Sequence, residues 1–89
     1  MPQVVLTSNL QRYVSCDQKE VRGSTVYEVL EALFSDIPKL RGYILDDQGH
    51  LRQHMVIFVD GQIISDRIGL SDPVKETSEV YVMQALSGG

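Results

Sequence analysis

At 89 residues, with 43% apolar side chains, the chain has room for one domain with a modest core. The formal net charge is −4, and eight Lys and Arg are scattered among twelve Asp and Glu. No basic face is available to neutralise phosphates, which argues against nucleic-acid binding and for a protein partner. A single cysteine, Cys16, excludes an internal disulfide and any multi-cysteine metal or iron–sulfur site.

No apolar run is long enough to cross a bilayer. The start, Met1-Pro2-Gln3, lacks the basic and apolar regions of a secretory signal. The expectation is a soluble, cytoplasmic protein.

In chain order, Gln3 to Thr7 contains the apolar run Val4-Val5-Leu6, stopped by Ser8-Asn9, and reads as a buried strand. Gln11 to Gln18 is polar and mixed, hence loop. Lys19 to Arg22 reads weakly as a second strand, returning antiparallel to the first. The clearest element is a helix from Thr25 to about Asp36. Thr25-Val26-Tyr27-Glu28 fits a capping box, with Thr25 as N-cap. Val26, Val29, Leu30, Leu33, Phe34 and Ile37 fall on one apolar face, and Glu28, Glu31 and Asp36 lie off it. Pro38 prevents continuation.

Tyr43-Ile44-Leu45, the turn-like Asp46-Asp47-Gln48-Gly49 and His50-Leu51-Arg52 together predict a hairpin. Met55 to Val59 is a strongly apolar strand, Asp60-Gly61 a hairpin turn, and Gln62-Ile63-Ile64 its return. Gly69 to Pro73 reads as a loop or a single helical turn. Glu79 to Leu86 is the last strand.

One amphipathic helix cannot bury itself and needs the face of a mixed sheet. The first and last strands are apolar enough to be central, which predicts that they pair in parallel in mid-sheet beneath the helix. That is an α+β, β-grasp (ubiquitin-like) architecture: a domain over residues 1–86 and a flexible tail over 87–89.

Few side chains point to chemistry. His50 and His54 have the spacing of helical zinc ligands. The β-rich surroundings argue against a helix, and residues four apart in a strand are too distant to chelate one ion. They are expected to be exposed, with no metal bound. Asp46-Asp47 and Glu76/Glu79 read as a solvated rim rather than paired catalytic acids. Cys16 has no cation beside it in sequence to lower its pKa, and reads as an incidental thiol. No phosphate-cradling glycine loop and no nucleophile–base set stands out, so no enzyme activity is expected.

The end is different. Two terminal glycines arise by chance about once in 200 chains, at a glycine usage of about 7%. Following an apolar final strand of a β-grasp, they become a specific signal. A carboxylate must be activated, usually as an acyl-adenylate, before sulfur or an amine displaces the leaving group. The tail must therefore enter a partner's active site, and glycine lets enclosing backbone approach closely. Leu86 to Gly89, extended, reach at most roughly 13–14 Å.

At these residues the chain resembles the MoaD/ThiS family of sulfur carriers. Val59-Asp60-Gly61 is similar to the family's Val-Asn-Gly hairpin. Thr77-Ser78-Glu79-Val80 stands where the family usually has Gly-Asp-Glu-Val, and Ser87-Gly88-Gly89 matches its small-Gly-Gly end. The insert from Tyr43 to Arg52 is similar to that of the longer carriers serving cysteine synthesis. Two departures are Asp60 in place of asparagine and Gln84-Ala85-Leu86 where proline-rich residues are common.

The resemblance implies a cycle. A ubiquitin-activating-like enzyme, using ATP and magnesium, adenylates Gly89. A sulfur donor makes a thiocarboxylate, which attacks an acceptor on a second enzyme. That acceptor enzyme is a molybdopterin synthase large subunit or a cysteine-synthase-like or thiamine-type enzyme. The chain itself binds no cofactor, and no membrane or nucleic-acid partner is implied. The resemblance also implies an exposed apolar docking patch near the tail: Ile63, Tyr81, Met83 and Leu86. Two other functions share the fold: a protein modifier joined through Gly89 to lysines, and a pure binding module with an incidental glycine end.

Overall fold

The computed structural model describes residues 1–6 and 18–84. Its strands are β1 (Gln3–Leu6), β2 (Gln18–Glu20), β3 (Met55–Val59), β4 (Gln62–Ile63) and β5 (Glu79–Gln84). The helices are α1 (Val26–Asp36) and the short α2 (Arg41–Ile44), with a 3-10 turn at Pro38–Leu40 between them.

The five strands form one mixed sheet in the order β2-β1-β5-β3-β4. β1 and β5 pair in parallel, from Gln3 opposite Glu79 to Leu6 opposite Val82. The other pairings are antiparallel. The last strand is thus the middle of the sheet, and the β-grasp expectation holds.

α1 forms where its sequence predicts. Thr25 is the N-cap in extended conformation, and its Oγ1 accepts from Glu28 N at 3.2 Å. The Glu28 carboxylate does not close the box on Thr25. It accepts from Ser24 N at 2.8 Å and Ser24 Oγ at 2.9 Å, one residue earlier. The next free amides of the helix start are met by the loop before β5: Val26 N donates to Asp72 O and Tyr27 N to Leu70 O. The same helix start is held by Gly23, whose φ is +153°. A Cβ there would stand 2.7 Å from Val29 N, so only glycine lets the chain turn so close to α1.

Val26, Val29, Leu30, Leu33 and Phe34 of α1 pack on Val4, Leu6, Met55, Ile57, Val80 and Val82 of the sheet, all buried in one core. Loop residues Ile64, Leu70 and Val74 close the core's edge.

The hairpin predicted over Tyr43 to Arg52 is not formed. Tyr43 and Ile44 belong to α2, and Leu45 and Leu51 make one isolated bridge. The reason lies in the spacing of Leu40 and Ile44, both fully buried. Residues four apart stack one turn apart on the same face of a helix, and Pro38 at the start of the 3-10 turn sets the helical φ. The turn at Asp46–Gly49 is present, held by the Asp46 carboxylate accepting from Gln48 N and His50 N, both at 2.9 Å. The second strand begins one residue earlier than predicted, at Gln18, and stops at Glu20.

Candidate docking face and C-terminal tail

β5 alternates strictly. Val80 and Val82 are buried under α1, while Glu79, Tyr81 and Met83 take the other face. The register extends that open face across the sheet. Val5, Tyr81, Phe58 and Ile63 stand in one row, and Met83 pairs with Val56 in the next. Val5, Val56, Phe58, Tyr81 and Met83 are half-buried, and Ile63 is 57% exposed. The open face is therefore an apolar patch over β1, β5, β3 and β4. Its far row is polar: Glu20, Gln3 and Glu79 lie side by side. One end of the face is apolar, and the end where β5 begins carries two carboxylates.

Three expected patch residues, Ile63, Tyr81 and Met83, are brought together. Leu86, Ser87, Gly88 and Gly89 lie outside the described residues, as does Cys16. Val5, Val56 and Phe58 join the patch without having been picked out by sequence. Met55 to Val59 and Val4 to Leu6 are apolar at every position, so no alternation marks which side chains face out. Only the register with β5 sorts them.

The remaining candidates separate. His54 is exposed, with its ring edge-on to Tyr43 at 6.1 Å between centroids, and His50 is half-buried behind the Asp46 turn. Neither lies in a strand, contrary to expectation, because the segment that holds them is turn and bridge. Among the described residues no three His, Cys, Asp or Glu side chains converge as a metal site requires.

Several acids hold backbone rather than line a pocket. Asp66 accepts from Ile68 N, Gly69 N, Ser71 N and Ser71 Oγ, which pulls its pKa down to about 2, the Ser71 hydroxyl being the largest cause. Asp60 is lowered first by Glu79 N, then by Ser78 Oγ. Beside Asp60 lies a cleft of about 370 Å³ walled by Val59, Ile63, Ile64 and Pro73, with Lys75 and Asp72 at its rim. Among the described residues no helix is long and apolar enough to cross a membrane.

The model of the ThiS family matches residues 5–89, nearly the whole chain and through its two last glycines. The chain belongs to the ThiS family. Solved structures agree on its fold. A chain of the Amycolatopsis orientalis BexX/CysO complex matches with a TM-score of 0.87 at 17% identity, covering all of both chains. Mycobacterium tuberculosis CysO matches at 0.86 and 17%, over 97% of this chain and all of that one. The small archaeal modifier protein 1 of Methanosarcina acetivorans matches at 0.81 and 26%, over 99% of this chain and 95% of that one. No curated protein sequence matches significantly.

Proposed function

We propose that this chain is a sulfur carrier whose working group is the main-chain carboxylate of Gly89. What carries the reading is the family match running through Gly88 and Gly89. The open face, patterned for a partner, adds support.

In this cycle an activating enzyme with ATP and magnesium binds the carrier. A carboxylate oxygen of Gly89 attacks the α-phosphorus, and pyrophosphate leaves. A sulfide equivalent then displaces AMP from the acyl carbon and leaves a thiocarboxylate. On a second enzyme the sulfur attacks an electrophilic carbon of the bound acceptor and displaces its leaving group. Water then cleaves the acyl carbon–sulfur bond, releasing the thiolated acceptor and returning the carrier to its carboxylate. The chain is a co-substrate, regenerated each turn, and the work takes place in the cytoplasm where ATP is supplied. The folded body, residues 1–86, presents the tail, residues 87–89.

Docking falls to the open face. Ile63, Tyr81 and Met83, with Val5, Val56 and Phe58, supply apolar area, Leu86 is proposed to add to it from the segment before the tail, and Glu20 and Glu79 at the far row favour a partner with basic residues there. The BexX/CysO complex contains a chain similar to this one, which supports a carrier that works bound to a protein partner, here an acceptor enzyme of the cysteine-synthase or molybdopterin-synthase kind.

A second reading has its own support, the 26% identity to an archaeal modifier protein. There the activated Gly89 is joined to a lysine instead of receiving sulfur. Both readings require the tail, and one experiment tests that requirement. Deleting Gly88-Gly89 should abolish ATP-dependent adenylation by the cognate activating enzyme while leaving the melting temperature unchanged. One residue added after Gly89 should block adenylation too, and Cys16→Ser should not. A deletion variant that still forms the adenylate overturns both readings.

A further inference from the structure

The β3–β4 hairpin is short. β4 contributes only Gln62 and Ile63 to the ladder, too little to hold a hairpin by itself. Yet Ile63 completes the apolar row of the open face. Something else must fix the hairpin.

The turn is built from Asp60 and Gly61, with φ of 51° and 84°. Two positive φ values in sequence suit the twist of a two-residue hairpin. They also carry the chain out of the β3–β5 ladder, whose last pair is Val59 with Val80. The next pair would be Asp60 with Glu79. Half of it forms normally, as Asp60 N donates to Glu79 O at 2.9 Å. The other half is made by the side chain: Glu79 N donates to Asp60 Oδ1 at 3.0 Å. The carboxylate takes the place of the main-chain carbonyl that the turn has moved away.

The second carboxylate oxygen is used as well. Ser78 is 2% exposed, the one buried polar side chain among the described residues. Its hydroxyl accepts from Lys75 N at 2.9 Å and donates to Asp60 Oδ2 at 2.7 Å. A serine hydroxyl has one proton and no second donor, so this arrangement needs a pure acceptor opposite it. A carboxylate supplies that. An amide leaves one donor unmet: its N–H faces Glu79 N–H, or it faces the hydroxyl, whose own proton then has no acceptor.

We propose that Asp60 is the positioning residue of the docking face, a latch that ties the β3–β4 hairpin to the start of β5 and so sets Ile63 in its row. The proposal rests on the docking reading above. It assigns a role to the Asp60 departure from the family's Val-Asn-Gly: with Ser78 opposite, the aspartate matches both donors directed at it, Ser78 Oγ and Glu79 N.

Hydrogen exchange on the whole chain, followed by NMR, tests the latch with no partner present. Asp60→Gly removes the carboxylate and tolerates the positive φ. The reporter is the amide of Ile64, whose bond to Ile57 O at 3.0 Å the substitution does not touch. Its exchange should rise roughly tenfold or more, as expected for one charged hydrogen bond lost, while core amides such as Val82 change much less. Asp60→Asn, which retains an acceptor for Glu79 N, should fall between. If Ile64 and Val82 accelerate together, Asp60 serves only global stability and the latch is refuted.

In titrations with the activating enzyme, Asp60→Gly should weaken binding, and should add nothing once Ile63 is alanine. An Ile63→Ala chain that binds as tightly as the original sinks the docking reading, with the exchange result unaffected. Weakening by Ile63→Ala but not by Asp60→Gly refutes the positioning role alone.

Discussion

Asp66 takes four hydrogen bonds within its own loop, and its neighbour in space, Asp72, takes two more from Ser65 N and Asp66 N. These acids replace the regular backbone pairing that the segment between β4 and β5 lacks. Hydrogen bonds to the ionised form lower a carboxyl pKa, and Asp66 falls from 3.8 to about 2. Asp46, Asp60 and Glu28 are lowered in the same direction, chiefly by the backbone N–H groups of His50, Glu79 and Ser24. A folded pKa below the unfolded one gives stability that is complete above about 3.8 and is lost as pH falls toward 2. Asp66→Asn should therefore lower the melting temperature at neutral pH and flatten its fall across that window. Thermal melts of both proteins from pH 7 downward check this, and parallel acid limbs would contradict it. Sequence marked several acids as a solvated rim. Of these, Asp46 accepts from the backbone amides of Gln48 and His50. The roles of Asp60, Asp66 and Asp72 are unmarked in the sequence because their partners are set by the loop's path, which no spacing rule encodes.

α1 and β5 show what a period can and cannot reveal. In α1 the 3.6-residue spacing and the Thr25 cap gave boundaries that the structure keeps. The turn at Asp60-Gly61 was legible for the same kind of reason, a local backbone requirement that few residues meet. Over residues 38–45 two signals competed. The apolar run Tyr43-Ile44-Leu45 resembles a strand, while Pro38 opens a helical turn that continues through Ile44 and buries both Leu40 and Ile44. The strand faces were half legible. Tyr81 and Met83 share a face by parity, but only the register shows that α1 covers the opposite one. That difference has an energetic consequence. Met55 is fully buried and Met83 is half-buried on the open face. Met55→Ala should cost about 2–5 kcal/mol, and Met83→Ala less than about 1 kcal/mol. Denaturant midpoints at unchanged slope would measure both. Equal losses would mean that the open face is core rather than a docking surface.

At the scale of the whole molecule, the parallel pair of terminal strands places β5 in mid-sheet, flanked by β1 and β3. A strand held on both sides is a firm anchor for the residues that follow Gln84. The β-grasp was legible because it needs few decisions: one helix, two apolar terminal strands and a hairpin between them. The site was legible only in its chemistry. The glycines and the family motifs point to the main-chain end, while the shape of the docking face had to wait for the register.

Intact-mass spectrometry of the chain, purified from cells that also contain its activating enzyme, tests the carrier function most directly. The predicted result is a fraction heavier by one oxygen-to-sulfur exchange, placed at Gly89 by fragmentation. Lysine conjugates without that species would contradict the carrier function in favour of the modifier. An unmodified chain as the sole species, with enzyme and ATP present, would contradict both.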